Sequence, residues 1–230
     1  MMRQIPKTIS DPELVSARLG EIGLCRAGLL EVVQASLVGR YDAVPNDPIG
    51  TAGHRSRQFG TRRMRDIYLG RGWERNTDTN IDSIRHAESG ARVIFQNAER
   101  PLCGVDLPRA ASSKGQASKD LVESSGQLHM SRLFDADHNP YDAPDRADEI
   151  AGETPFNAAF YLFVHPTKAG EVTAELAAPN GVGSDGNFDG FFERIHLIKT
   201  GDQSWSIEDD FQDDDGGDSG QELAVEVTRK

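Results

Sequence analysis

Apolar residues recur at helical spacing near the start of the chain and at strand spacing toward its end. Leu14, Ile22, Cys25, Leu29, Val33 and Leu37 follow one another at three- to four-residue steps, with one longer gap. That period lines one face of an α-helix. Asp11-Pro12-Glu13 supplies a start: a side chain that accepts from exposed backbone N–H groups, then proline at the first helical position. The spacing predicts a helix from about Pro12 to Val38. Gly20, Gly23 and Gly28 are weak points at which it can split, and Gly39 is its expected stop. Tyr41 to Gly53 carries two prolines and two glycines and reads as a loop. A second helix is expected from Gln58 to Leu69, burying Phe59, Met64, Ile67 and Tyr68, with Gly70-Arg71-Gly72 closing it.

Strand signals follow. Ile81–His86 and Arg92–Asn97 read as a hairpin around Glu88-Ser89-Gly90. Ala158 to His165 (AAFYLFVH) is apolar on both parities, so it predicts a central strand covered on both faces. In Glu171–Ala177, Val172, Ala174 and Leu176 alternate with Thr173 and Glu175. Phe192–Lys199 sets Ile195 and Leu197 on one face, Arg194 and His196 on the other. The stretch PNGVGSDGNFDG between these two strands reads as a glycine-rich loop. Short connections favour an antiparallel meander.

Pro101 to Gly152 is polar and punctuated by proline, with a short helix expected near Gln116–Glu123. Together these elements predict an α+β fold: N-terminal helices packed on an antiparallel sheet made of the hairpin plus a three-stranded meander. The expected organisation is a single domain over residues 1–200 with a mobile insertion at about 104–152, then an acidic, flexible C-terminal tail over 201–230.

Composition narrows the function classes. No stretch approaches the roughly 18 apolar residues of a membrane helix, and Met1–Ser10 holds no apolar run. The expectation is a cytoplasmic protein without membrane contact, its two cysteines, Cys25 and Cys103, reduced. Without a CxxC pair a structural zinc site is not indicated, and the residues call for no cofactor.

Charge changes the picture most. The net charge is −12, unevenly placed. Thr51–Arg75 holds seven arginines against Asp66 and Glu74, a local +5. Ser131–Lys230 holds 22 acidic and 7 basic residues, a local −15. Such asymmetry argues about partners rather than fold. Arg55, Arg57, Arg62, Arg63 and Arg65 are the candidate contacts to nucleic acid or another partner, because a guanidinium forks onto phosphate or carboxylate. The plainer reading is a solvated helix face paired with the chain's own carboxylates. In the acidic tail, Trp205, Ile207 and Phe211 are candidate partner-binding residues for a basic, nucleic-acid-handling protein. The plainer reading there is a solubilising tail.

Other motifs carry less. Asp185, Asn187 and Asp189 with Gly190 match the first half of an EF-hand calcium loop. His196 stands where that loop needs its bidentate glutamate, and the flanks read as strands, so no metal is expected. None of the six lysines follows an acidic residue at the two-residue spacing of restriction-type nucleases. A phosphate loop of the GxxxxGK[ST] type and a GxSxG elbow are missing from the sequence. Glu175, Arg194 and His196 are candidates for acid–base work if the last two strands pair, with a satisfied ion pair as the plainer alternative. The function expected from sequence is a non-enzymatic, charge-driven binding protein. It contacts nucleic acid through the arginine-rich helix, or a nucleic-acid-handling protein through its acidic region. An enzyme around Glu175, Arg194 and His196 and an inhibitor that mimics DNA are the alternatives.

Overall fold

A computed structural model describes residues 5–131, 154, 157–167 and 170–202. Among the described residues, four α-helices pack on a seven-stranded mixed sheet.

Helix α1 (Pro12–Ile22) starts where Asp11 Oδ1 accepts from the N–H groups of Glu13 and Leu14 at 3.0 and 3.1 Å. It ends at Gly23, whose φ of 84° lies in the left-handed region and whose N–H turns back onto the last turn of the helix. The chain then bends by 90° into α2 (Arg26–Tyr41). The long helix expected from sequence is therefore two, broken at the middle one of its three glycines. Gly20 and Gly28 remain inside helices. Gly39 does not stop α2, because it serves packing instead. A β-carbon there would meet the Phe59 ring at 2.7 Å and the Arg55 carbonyl oxygen at 2.9 Å, so the missing side chain lets α3 approach.

Helix α3 (Thr51–Tyr68) begins well before the expected Gln58 and buries Ser56, Gly60, Met64 and Tyr68 at steps of four. No single helix among the described residues is long and apolar enough to cross a membrane.

The strands are β1 (Lys7–Ile9), β2 (Trp73–Asn76), β3 (Ser83–His86), β4 (Arg92–Asn97), β5 (Ala159–Pro166), β6 (Val172–Val182) and β7 (Phe188–Ile198). Their spatial order is β1-β7-β6-β5-β4-β3-β2. The expected hairpin is β3–β4 and the expected meander is β5–β6–β7, both antiparallel. The purely antiparallel sheet is corrected: β4 pairs with β5 in parallel, and β1 pairs with β7 in parallel. The reason lies in the long connection between Asn97 and Ala159. It carries α4 (Gln116–Ser131) and returns the chain to the end of the sheet from which β4 started, as parallel neighbours require. The stretch expected as a loop, PNGVGSDGNFDG, mostly extends β6 and β7. Only a short turn around Gly183–Asn187 reverses the chain.

Both sheet faces are covered. On one, Val93, Phe95, Phe160, Leu162, Leu176 and Ile195 meet Val15, Leu19, Leu29, Val33 and Met64 from α1–α3. On the other, Ile94, Tyr161, Phe163, Ala177 and Phe191 meet Leu102, Ala110 and Val122 from the post-β4 loop and α4. The two-parity apolar run of β5 is the strand that this double cover demands, as expected from its sequence. Residues 104–131 of the expected insertion thus supply part of the second cover. Residues 132–153 and the tail from 203 onward lie outside the described residues.

The α2–α3 contact generates a prediction. Gly39→Ala gains roughly 1 kcal/mol of helix propensity, but its methyl group meets the α3 backbone. Overpacking of this kind costs about 1–3 kcal/mol. Urea denaturation is expected to show net destabilisation, whereas Gly20→Ala, with open space at its β-carbon, stabilises.

Candidate functional site

The five candidate arginines divide into two groups. Arg55 and Arg63 turn toward α2 and the α2–α3 connection. Arg55 pairs with Asp42 and lies 3.8 Å from Asp47; Arg63 meets Glu31 at 2.5 Å. Arg57, Arg62 and Arg65 line a surface groove of about 560 Å³ together with His54, Gln58, Thr61, Asp66 and Asp82. All but Asp82 come from α3, at spacings that place them on one helix face. Asp82 reaches in from the turn before β3. It lies 2.8 Å from Arg65 and 4.0 Å from Arg57, so one carboxylate is shared by two guanidiniums. Arg62 is exposed and makes no ion pair among the described residues. The groove wall therefore carries three arginines against Asp66 and Asp82.

A further cation, not singled out by the sequence, sits round the sheet edge from this groove. β4 runs past the start of β3 toward Asn97, and the ammonium of Lys114 lies there on the α4 side. It donates to Gln96 Oε1 and stands 5.7 Å from the ring centre of Phe188 and 5.9 Å from that of Tyr161. Burial, then repulsion from Arg57, pushes it down to about 8.

The second candidate set does come together. Glu175 on β6 lies opposite His196 on β7, and Arg194 shares their face. Arg194 grips the carboxylate with two parallel bonds: Nε to Oε1 at 2.9 Å and Nη2 to Oε2 at 2.8 Å. Its Nη1 donates to the Gly104 carbonyl at 3.1 Å. Cys103 N–H donates to Glu175 Oε2 at 2.8 Å. Residues 102–104 thus lie across the pair as a lid, helped by Leu102 N–H donating to Thr173 Oγ1 at 3.0 Å. Cys103 reaches this position at φ 63°, a left-handed conformation unusual for a side-chain-bearing residue.

Glu175 is 0% exposed and Arg194 3%. Burial, followed by the nearby Glu175 carboxylate, pushes the Cys103 thiol up to about 12. Burial also holds His196 below its ordinary value despite the opposing pull of Glu175. His165, on the same face, turns its Nδ1 to the Ala98 carbonyl at 3.2 Å instead of joining the cluster.

The calcium-like segment resolves locally. Asp185 spends both oxygens on Asn187, which donates its backbone N–H at 3.0 Å and its side-chain amide at 2.8 Å. Those bonds hold the Asp185 carboxyl below its ordinary value. Asp189 lies on β7 beside Gly181. The segment is the β6–β7 turn, an arrangement that Asx side chains stabilise unaided. Trp205, Ile207 and Phe211 lie outside the described residues. Comparison with protein-family models, with curated proteins and with solved structures finds no match.

The buried pair and the buried lysine each carry a prediction. Arg194→Met leaves the buried Glu175 carboxylate without its countercharge, which costs about 3–5 kcal/mol, whereas the double change Glu175→Leu with Arg194→Met costs less than either single one. Guanidinium unfolding of all three variants measures the coupling, and additive losses would contradict it.

For Lys114 the sign follows from a folded pKa, about 8, below the ordinary lysine value of 10.5. The folded state then binds fewer protons between these limits, so burying the lysine costs stability most below pH 8 and progressively less toward pH 10.5. Lys114→Met is expected to stabilise the protein at pH 7, with the advantage shrinking across that window in pH-dependent melts.

Proposed function

We propose that this protein is a non-enzymatic, charge-driven binder of nucleic acid whose contact surface is the α3 groove. The observation that carries the reading is the clustering of Arg57, Arg62 and Arg65 on one groove wall with a single carboxylate, Asp82, shared between two of them. The Arg57–Asp82 pair is exposed and pairs of this kind are worth about 0–1 kcal/mol, so an incoming phosphate can displace Asp82 from Arg57 at little cost, whereas the largely buried Arg65 holds it more firmly. Each freed guanidinium then offers a forked, charge-assisted contact to phosphate oxygens. Arg62 needs no such exchange. Guanidiniums outnumber the neutral polar groups Gln58 and Thr61 in the groove, so the expected contact is chiefly to the backbone, with modest dependence on base sequence.

Arg55 and Arg63 lie outside the groove, which leaves three of the five arginines along it. That sets the expected strength: with about three phosphate contacts, log K falls with log salt at a slope of roughly −2 to −3. The acidic region, with Trp205, Ile207 and Phe211, supports the other reading, capture of a basic protein. The groove favours nucleic acid because three guanidiniums of one helix face line it, a spacing that suits successive phosphate oxygens.

Fluorescence anisotropy with short labelled oligonucleotides, across a salt series, tests this. Arg62→Ala is expected to weaken binding and lower the salt slope by about 1. Asp82→Asn is expected to strengthen binding, since it removes the competing carboxylate, and a purely structural Asp82 would show no gain. An intact chain that ignores oligonucleotides at low salt, yet binds a basic protein, would overturn the proposal in favour of the acidic-region reading.

A further inference from the structure

We propose that Cys103, Glu175 and His196 form a binding site for a borderline divalent metal ion, zinc in the first place. This inference does not depend on the groove. The Cys103 sulfur, a Glu175 carboxylate oxygen and a His196 ring nitrogen lie within 4.8 Å of one another. Tetrahedral zinc holds sulfur at about 2.3 Å and nitrogen or oxygen at about 2.0–2.2 Å, which sets its donors roughly 3.5 Å apart. His196 Nε2 and Glu175 Oε2 already stand at 3.9 Å. Closing on an ion therefore requires side-chain movements of about 1 Å or less, within reach of small χ rotations.

A second observation points to a ligand independently. Both ring nitrogens of His196 are buried and have no hydrogen-bond partner, on a side chain only 7% exposed. Buried polar atoms are almost always satisfied, by protein, water or an ion. A neutral imidazole has one lone pair to give, and a metal is the acceptor that its two neighbouring donors also suit.

The surroundings are arranged accordingly. Cys103 is held at φ 63°, with its sulfur 3.3 Å from both the Ala174 and Ile198 carbonyl oxygens, so the thiol faces inward between β6 and β7. Glu175 Oε2, the oxygen 3.9 Å from His196, accepts from Arg194 and from Cys103 N–H, so an ion held there replaces one of these two bonds, while Oε1 stays with Arg194. Arg194 is then a positioning residue that aims the carboxylate, as partners of metal-ligating groups commonly do.

Binding forms a Zn–S bond and breaks the S–H bond, the proton leaving to solvent. Zinc, thiolate and carboxylate sum to zero, which leaves the guanidinium charge to the surrounding carbonyl oxygens, Gly104 O at 3.1 Å among them. Thiolate and imidazole select zinc over magnesium and calcium, which prefer all-oxygen shells.

The test uses the full chain stripped with a chelator, then titrated with Zn²⁺ against a competing indicator and, separately, with Co²⁺ followed by absorption. One equivalent of tightly bound metal is expected, with a sulfur-to-cobalt charge-transfer band in the near ultraviolet. Cys25→Ser should keep that band. Cys103→Ser should lose it, and Cys103→Ser and His196→Gln should each bind zinc at least about tenfold more weakly. The wild-type and Cys25→Ser titrations decide the matter even if the Cys103 or His196 variants fail to fold. The proposal is overturned if the wild-type cobalt form lacks the band, if Cys103→Ser retains it, or if no single equivalent of zinc binds. Metal held only by exposed carboxylates would give no such band and would count against the site.

Discussion

The carboxylate of Glu175 holds the second face of this protein together. Two bonds reach it from Arg194 within the sheet, and a third arrives from the Cys103 backbone in the loop above. Without the third, the loop would keep the Arg194 bond to the Gly104 carbonyl, the Thr173 bond and two weak sulfur contacts to β6 and β7. That loop leads into α4, and together they cover Ile94, Tyr161, Phe163 and Phe191. Charge placed deep in a sheet is costly unless paired. Here the pairing also tethers the covering layer, so local electrostatics and the three-layer architecture are one problem.

Much of this was legible in the sequence because burial writes period directly. The both-parity run of β5 announced double cover. The alternation of Ile195 and Leu197 with Arg194 and His196 announced that the last pair share a face. What escaped notice had no period to display. β1 is three residues long with one buried side chain, Ile9, and β2 hides Trp73 directly after a glycine turn. The parallel β4–β5 pairing depends on where a long connection returns, which no local pattern encodes. Glycine was ambiguous in a specific way. Gly23 breaks a helix through its φ, whereas Gly39 lets two helices touch through its missing side chain, and composition alone does not distinguish these uses.

The candidate residues show the same division. Glu175, Arg194 and His196 were brought together by strand register, which alternation can reveal. Cys103 joins them from a loop distant in sequence, and Lys114 approaches the arginine groove around the edge of β4; only tertiary structure shows either. For the arginines, sequence supplied the helix but not the partners. Glu31, Asp42 and Asp47, on or next to α2, absorb two of the five, and Asp82 is divided between two more. A strongly uneven charge distribution in sequence became a narrower cationic wall once neighbouring carboxylates folded against it.

The two ends of the sheet are short strands, three residues in β1 and four in β2. A sheet whose long central strands were left bare at the rim would offer a ladder of unsatisfied backbone groups to any other chain. Here β1 lies against β7 for only three residue pairs, and β2 turns Glu74 and Arg75 outward. Brief, charged rims of this kind give an incoming strand little to add to, so the molecule is guarded against joining its own copies into a continuous ribbon.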